Sequence, residues 1–246
     1  MALATAARFI LDLRIGPRTI ETATELLTSV AMACGAGGGA GGASPPLLLI
    51  DEHLPYPAAI LQVFGVVRHR RRRRKRGRRK KPDLKPPPGL LAGVVGKVRD
   101  ATGNLLRVRT RALFGRKRDI IGRIRQLGLG QQINTAHIER LNGTMRGQQA
   151  RLARRTRAGS RRGRTLRWST ALWRDVYNWV RVHASLAGST PAMAIGLADA
   201  PWSVSRYVGH PVHVSDLQRA IWAEERETWR TSALDAREHR KLLPAS

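Results

Sequence analysis

The segment INTAHIERLNGTMR, residues 133–146, places a buried face and a polar face on one predicted helix. Apolar residues in this segment and just after it recur at helical spacing, which predicts a face packed on a core: Ile138, Leu141, Met145 and Leu152. Glu139, Asn142 and Arg146 follow at i, i+3 and i+7, so they lie together on a different face. A carboxylate, an amide and a guanidinium on one exposed face make this helix the first candidate for a functional site.

A strand and a helix upstream supply a second carboxylate. PPLLLID predicts a buried strand that ends at Asp51, and YPAAILQVFG predicts a short helix that begins near Pro57. Asp51 is therefore either a site residue at the end of a strand or an N-cap or first-turn acid of the following helix. The alternative interpretation of Glu139 is a solvated surface glutamate. The residue at i+4 is Gly143, so an ion pair along the helix does not account for this glutamate.

The other predicted elements extend on both sides. RFILDLRI, residues 8–15, predicts a strand, and residues 19–33 predict a helix capped by Thr19 or Thr22. A Gly-rich linker spans residues 35–44. GVVGKVRD and NLLRVRTRALF flank the turn sequence DATGN and predict a hairpin, and residues 118–127 predict a helix.

A strongly amphipathic segment, LRWSTALWRDVYNWVRVHASL, begins at Leu166. Helical spacing predicts that one apolar face packs on the core: Trp168, Leu172, Val176 and Trp179. We therefore expect the series Trp168, Trp173 and Trp179 to be core residues, and the alternative is a platform on which bases stack.

Charge indicates a polyanionic partner. The chain has 45 Lys and Arg against 17 Asp and Glu, a formal net charge of +28. The run RHRRRRRKRGRRKK, residues 68–81, carries twelve of these cations, and the excess continues through residues 146–164. Such a charge repels itself in a compact particle unless a polyanion shares the surface. The alternatives for the run are a solvated loop, a chance likeness to a localisation signal, or a consequence of high-GC coding.

The cysteine content and the hydropathy of the chain limit the kinds of site and the cellular compartments that we expect. Cys34 is the single cysteine, so the chain can form no intramolecular disulfide and contains no Cys/His zinc spacing. The longest apolar runs are far below the roughly 18 residues that a transmembrane helix needs. We expect a soluble, cytoplasmic protein that does not enter a membrane.

Three segments of the sequence resemble those of the insertion-sequence transposases, whose DDE catalytic domain has an RNase H-like fold related to that of retroviral integrases. They are the aliphatic strand ending in Asp51 with its Tyr-containing helix, NTAHIERLNGTMR around Glu139, and YNWVRVHASLAGSTPAMAIGL, which ends near residue 197. The last of these contains Asn178 and His183, to which we assign no chemical role. The resemblance implies an α/β fold, an RNase H-like mixed sheet flanked by helices, with a disordered basic loop and a helical C-terminal part.

The resemblance also implies a metal-dependent polynucleotidyl transferase that acts on double-stranded DNA, both transposon ends and target. Asp51 and Glu139 match the second and third acidic residues, which would be catalytic and would bind Mg²⁺ or Mn²⁺. Ala4 stands where the first aspartate is expected, and Asp12 lies on the following strand. The resemblance therefore leads us to expect an N-terminally truncated or degenerate protein, and the rival hypothesis is a non-enzymatic basic DNA- or RNA-binding protein.

We expect phosphate contacts to come from the basic residues outside the carboxylate pair. The candidates are Arg70, Arg71, Arg72, Arg73, Arg74, Lys75, Arg76, Arg78, Arg79, Arg146, Arg154 and Arg155. The expected organisation is a first part of the catalytic core at 1–67, a basic Arg/Pro-rich loop at 68–92, the rest of the core at 93–200 and a tail at 201–246. Self-association into a homo-oligomer stays open.

Overall fold

The computed structural model describes residues 1–35, 44–68, 83–153 and 157–210. It divides the chain into two compact units, Met1–Trp202 and Ser203–Ser246. Within the second unit the described residues contain a short helix, Val204–Gly209, whose first turn is capped by the Ser203 hydroxyl. In the described part of the chain, no helix is both long enough and apolar enough to cross a membrane.

The first unit is a mixed α/β structure. Its strands are β1 Ala2–Ala4, β2 Phe9–Asp12, β3 Leu48–Asp51, β4 Val66–Arg68, β5 Asp83–Lys85, β6 Ala92–Arg99 and β7 Leu105–Phe114. Its α-helices are α1 Ile20–Ala33, α2 Tyr56–Phe64, α3 Lys117–Gln126, α4 Ala136–Gln148, α5 Gly163–Asp175 and α6 Pro191–Ala194. This composition confirms the α/β class that the sequence predicts.

The main sheet has the strand order β3–β6–β7, with β3 parallel to β6 and β7 antiparallel to β6. One face carries Leu48, Ile50 and Ala92, which pack with apolar residues of α1 and α2. The opposite face carries Leu49 and Val95, which pack with α3. Because side chains alternate along a strand, Asp51 shares this second face with Leu49.

A smaller ladder pairs β1 with β2 in antiparallel register, Leu3 opposite Ile10 and Ala4 opposite Phe9. Ile10 packs with Leu141 of α4 and with Trp173 and Tyr177. This cluster joins the first residues of the chain to elements formed far downstream, and it brings β1 and α4 to the same region.

Most of the predicted elements are confirmed, with small changes of bounds. Thr19, and not Thr22, caps α1: its hydroxyl accepts a hydrogen bond from the Thr22 amide. The segment 68–92, expected to be a loop, instead contributes Asp83–Lys85, which pairs with Val66–Arg68 as a two-stranded ladder. The basic run lies outside the described residues except for Arg68, as does most of the Gly-rich linker.

The predicted core face of α5 is wrong. Trp168 is 62% exposed and Leu172 is 53% exposed, whereas Thr170, Trp173 and Tyr177 are buried. The α-helix ends at Asp175 and continues as a π-helical turn over Val176–Val180. Trp168 and Leu172 both precede this turn, so the turn does not explain their exposure. Apolar residues lie on more than one side of α5, and the side that packs on the core is the one that carries Thr170, Trp173 and Tyr177.

Trp168 therefore does not belong to the core with Trp173. The guanidinium of Arg164 stacks over its ring, 4.5 Å from the centroid. Trp179 is partly buried and packs against Trp202. The tryptophan series thus separates into one core residue, one exposed residue and one residue at a local contact.

Candidate functional site

Both predicted acidic site residues line one large cavity. Its volume is about 1200 Å³, and it opens between β1, the end of β3, β6 and α4. Asp51 and Glu139 lie on it together with Asn142 and Arg146 from the polar face of α4. The predicted polar face of this helix is therefore confirmed as a cavity wall, and Leu141 on its other side is buried as expected.

Asp51 is the last residue of β3, and its Cα lies opposite Val95 of β6. The side chain is exposed, and the backbone carbonyl accepts a hydrogen bond of 2.8 Å from the His53 amide. The residue at the N-cap of α2 is Pro55, and the first turn of that helix contains no acidic residue. The alternative interpretation of Asp51 as a helix cap is therefore wrong.

Glu139 lies in the first turn of α4, and both of its carboxylate oxygens have a partner. Oε2 accepts from the Lys97 ammonium at 2.7 Å, and Oε1 accepts from the Thr135 hydroxyl at 2.8 Å. The hydrogen bond from Lys97 has the largest effect and lowers the pKa of Glu139. Burial, the next largest effect, raises this pKa, and the hydrogen bond from Thr135 lowers it further, so the net pKa is lowered. Glu139 is thus half exposed but held in place from β6.

Lys97 is a site residue that no local sequence pattern reveals. It lies two positions after Val95 on β6, so it shares the sheet face of Asp51 and lines the same cavity. The spacing within α4 excludes a helical ion pair for Glu139, but it carries no information about a lysine on a strand. Only the register of β3 on β6, together with the placement of α4, brings the two side chains together.

The strand β1 forms another wall of the cavity, and this wall includes Ala4. Ala4 contributes only a methyl group where the family resemblance expects an aspartate. Asp12 does not replace it: its carboxylate accepts from the Arg14 guanidinium at 2.7 Å and from the Leu13 amide at 2.7 Å. Burial raises the pKa of Asp12, but hydrogen bonds from Ser29 and Arg14 outweigh it, and the net pKa is lowered.

The turn between β1 and β2 is tied to α4. Arg8 adopts a left-handed backbone conformation, with φ of 57°, and its guanidinium contacts Nδ1 of His137. Burial is the largest cause that lowers the pKa of His137, followed by the positive charges of Arg8 and Arg140. A neutral His137 is compatible with the contact, because the imidazole can then accept the hydrogen bond from Arg8.

Asn178 has a structural role for which its sequence neighbours give no signal. Its side-chain amide donates to the Ile10 carbonyl at 2.9 Å, and its carbonyl accepts from the Ile10 amide at 3.0 Å. Both residues are almost fully buried. The side chain therefore pairs with β2 as a neighbouring strand would, and it fixes the β1–β2 ladder beside the cavity.

His183 is packed against the same region. Its ring meets that of Tyr177 edge to face at 4.5 Å, and its Nε2 is buried with no hydrogen-bond partner among the described residues. Burial is the largest cause that lowers its pKa. This environment is consistent with a packing residue and gives no reason to assign His183 a catalytic role.

Of the predicted phosphate contacts, only Arg146 lies within the described residues. The candidates from Arg70 to Arg79 fall outside them, as do Arg154 and Arg155. Close to those two in the sequence, Arg151, Arg161 and Arg162 line a second concave region of about 530 Å³.

Comparison of the chain with protein-family models, with curated protein sequences and with solved structures finds no match. Among the described residues, no three His, Cys, Asp or Glu side chains are grouped so as to hold a metal ion.

Proposed function

We propose that the chain is a DNA-binding protein of the insertion-sequence transposase family, with an RNase H-like domain whose ancestral activity was metal-dependent DNA cleavage and strand transfer. The observation that carries the proposal is that Asp51 and Glu139, matched to the family independently of each other, line one cavity. One lies at a strand's end and the other on a neighbouring helix, so both come from rigid elements, which a precise site requires.

The net charge of +28 supports a polyanionic substrate. Arg146 lies on the cavity beside the two carboxylates, where it can pair with a phosphate of a bound strand. Double-stranded DNA, as transposon ends and as target, is the partner that the proposal names. The contacts would depend mainly on charge, so binding should weaken steeply as salt rises.

The side chains present are an incomplete donor set for two-metal chemistry. Such a site takes carboxylates that converge on two ions roughly 4 Å apart. Ala4 supplies no oxygen, and Glu139 shares its oxygens with Lys97 and Thr135. We therefore derive no cleavage step, and we propose Asp51 and Glu139 as the residues that would hold a single Mg²⁺ or Mn²⁺ ion.

The ion pair between Lys97 and Glu139 favours a second candidate function, DNA binding without cleavage. An ammonium 2.7 Å from Oε2 of Glu139 occupies one of the two oxygens that this carboxylate could offer to a metal. In this alternative the chain occupies DNA as a catalytically inactive member of the family.

Nicking of supercoiled plasmid in Mg²⁺ separates the two candidates. The proteins to compare are the wild type, Ala4→Asp, and Ala4→Asp combined with Glu139→Gln. Nicking by Ala4→Asp alone, lost again in the double variant, would identify a strand-transfer site that lacks one ligand. Salt-sensitive DNA binding with no nicking by any of the three would support the non-enzymatic alternative.

Two results would contradict the proposal. One is a wild-type protein that does not bind duplex DNA at low salt. The other concerns the ligands: Mn²⁺ binding that is equally tight in the wild type and in a protein with Asp51→Ala and Glu139→Ala would show that the assignment is wrong.

A further inference from the structure

The hairpin of β6 and β7 projects beyond the core as a two-stranded ribbon, which we define as residues 96–111. The strands pair from Ala92 opposite Phe114 to Arg99 opposite Leu105, with a shift of register between Ala92 and Gly93 and another between Val98 and Arg99. The first part of β6 is buried up to Gly96, whereas Lys97 and Arg99 are exposed, as are the facing residues of β7 from Leu105 to Arg109. The distal part of the ribbon is thus accessible on both faces.

The turn at the tip of the ribbon is fixed by its own hydrogen bonds. The Asp100 carboxylate accepts from the Thr102 amide, the Thr102 hydroxyl and the Asn104 amide at 3.0, 2.7 and 2.8 Å. The Arg99 guanidinium donates to the Gly103 carbonyl at 2.7 Å. These bonds preorganise the ribbon, so that a ligand need not bear the entropic cost of ordering it.

One face of the ribbon carries a row of guanidinium groups. Arg107, Arg109 and Arg111 alternate along β7 and lie opposite Val98, Gly96 and Val94. Alternation places them on the same face at intervals of roughly 6.8 Å. Arg109 and Arg111 are 59% and 55% exposed at the side chain.

The row is only weakly neutralised. Glu52 approaches Arg109 and Arg111 at 3.9 and 4.0 Å, the outer limit of an ion pair. Within the described residues, Arg107 makes no ion pair. A single half-exposed carboxylate in a row of three guanidinium groups leaves this face of the ribbon with a net positive charge.

We infer that this ribbon is a DNA-contacting arm, in which Arg107, Arg109 and Arg111 bind consecutive phosphates of duplex DNA. The inference rests on the proposed DNA-binding function, and it adds a row of three arginines that lies outside the basic run and is not part of the cavity wall. The major groove of B-form DNA is wide enough to admit a two-stranded ribbon. The deep, narrow major groove of an A-form RNA duplex is not.

Fluorescence anisotropy with a labelled duplex of about 25 base pairs over a salt series tests the arm. The variant replaces Arg107, Arg109 and Arg111 with Gln, which keeps most of the side-chain length. Loss of three phosphate contacts should make the slope of log K against log salt shallower by about 2.7 and weaken binding up to about 500-fold at roughly 0.1 M salt. The same positions changed to Lys should keep the slope.

A matched control removes three exposed charges close by, with Arg116→Gln, Arg118→Gln and Arg125→Gln. The inference predicts a clearly smaller change of slope than for the ribbon variant. Equal changes in the two triple variants would mean that only total charge matters, and would overturn the arm. Circular dichroism melting verifies that each variant is folded.

The remaining outcomes separate this inference from the proposed function. If the wild type binds duplex DNA and the ribbon variant binds it equally well, the arm is wrong while the proposed function stands. If the wild type does not bind duplex DNA, the proposed function itself fails. Tighter binding of the wild type to a duplex RNA of the same length, with the same loss in the ribbon variant, would also overturn the inference.

Discussion

Replacing Asn178 with alanine should destabilise the protein through β2, because the two hydrogen bonds of this side chain satisfy both backbone groups of Ile10. Ile10 is 1% exposed and Asn178 is 2% exposed, so water does not reach these groups in the folded protein. Leaving a buried donor or acceptor without a partner costs about 1–3 kcal/mol each. Water that enters the vacated space can recover part of this cost. We therefore expect a loss of about 2–4 kcal/mol.

Urea unfolding followed by tryptophan fluorescence measures this loss, and calorimetry measures the change in Tm. A loss of about 3 kcal/mol corresponds to a Tm lower by about 6–12 °C in a domain of this size. The control is Asn104→Ala, which removes an exposed amide whose Nδ2 donates, within the described residues, to the Thr102 hydroxyl alone. We expect that variant to lose less than about 1 kcal/mol.

The isosteric change Asn178→Asp distinguishes hydrogen bonding from packing. The carboxylate still accepts from the Ile10 amide, but its other oxygen faces the Ile10 carbonyl, and two acceptors repel each other. This variant should be less stable than the wild type at neutral pH and should recover as the pH is lowered and the carboxyl group binds a proton. We call the pair of hydrogen bonds between Asn178 and the Ile10 backbone the clamp. If Asn178→Ala loses no more stability than Asn104→Ala, the stabilising role of the clamp is refuted.

Three further outcomes are expected. Lys97→Gln should strengthen Mn²⁺ binding, measured by calorimetry, about two- to fivefold, the range that the energy of an exposed ion pair sets. Lys97→Arg keeps the charge and should bind Mn²⁺ like the wild type. If Lys97→Gln binds Mn²⁺ no more tightly, the ammonium does not compete with the metal for Glu139. Because the pKa of His183 is lowered in the folded protein, this imidazole binds a proton at a higher pH in the unfolded chain than in the folded one. The free energy of unfolding should therefore fall as the pH drops below about 6.5. In urea titrations on either side of this pH, His183→Leu should show a smaller fall. Gly93→Ala places a Cβ 2.9 Å from the Ile133 side chain and should cost about 1–3 kcal/mol in the same titration, partly recovered by Ile133→Val.

Local sequence patterns are sufficient to predict most helices and strands, and to predict which residues of α4 share the polar face that lines the cavity. Alternating residues and the turn sequence at Asp100 predict the β6–β7 hairpin, and helical spacing predicts that Glu139, Asn142 and Arg146 share a face. These features depend on neighbours within a few positions, where the backbone geometry is regular. The strand ending at Asp51 is found for the same reason.

Features that depend on distant contacts were missed. The partner of Glu139 is on a strand, so no period within α4 reveals Lys97. The clamp between Asn178 and Ile10 joins residues 168 positions apart. The buried face of α5 is wrongly predicted because a hydrophobic pattern alone does not distinguish the exposed Trp168 from the buried Trp173.

The clamp has a consequence for synthesis of the chain on the ribosome. The β1–β2 ladder is synthesised before Asn178, and the side chain that pairs with its buried edge is 168 residues further along. At translation rates of about 5–20 residues per second, roughly 10–30 s pass before that partner exists. During this interval the nascent chain presents an unpaired strand edge at β2, which favours chaperone binding and aggregation of the unfinished chain.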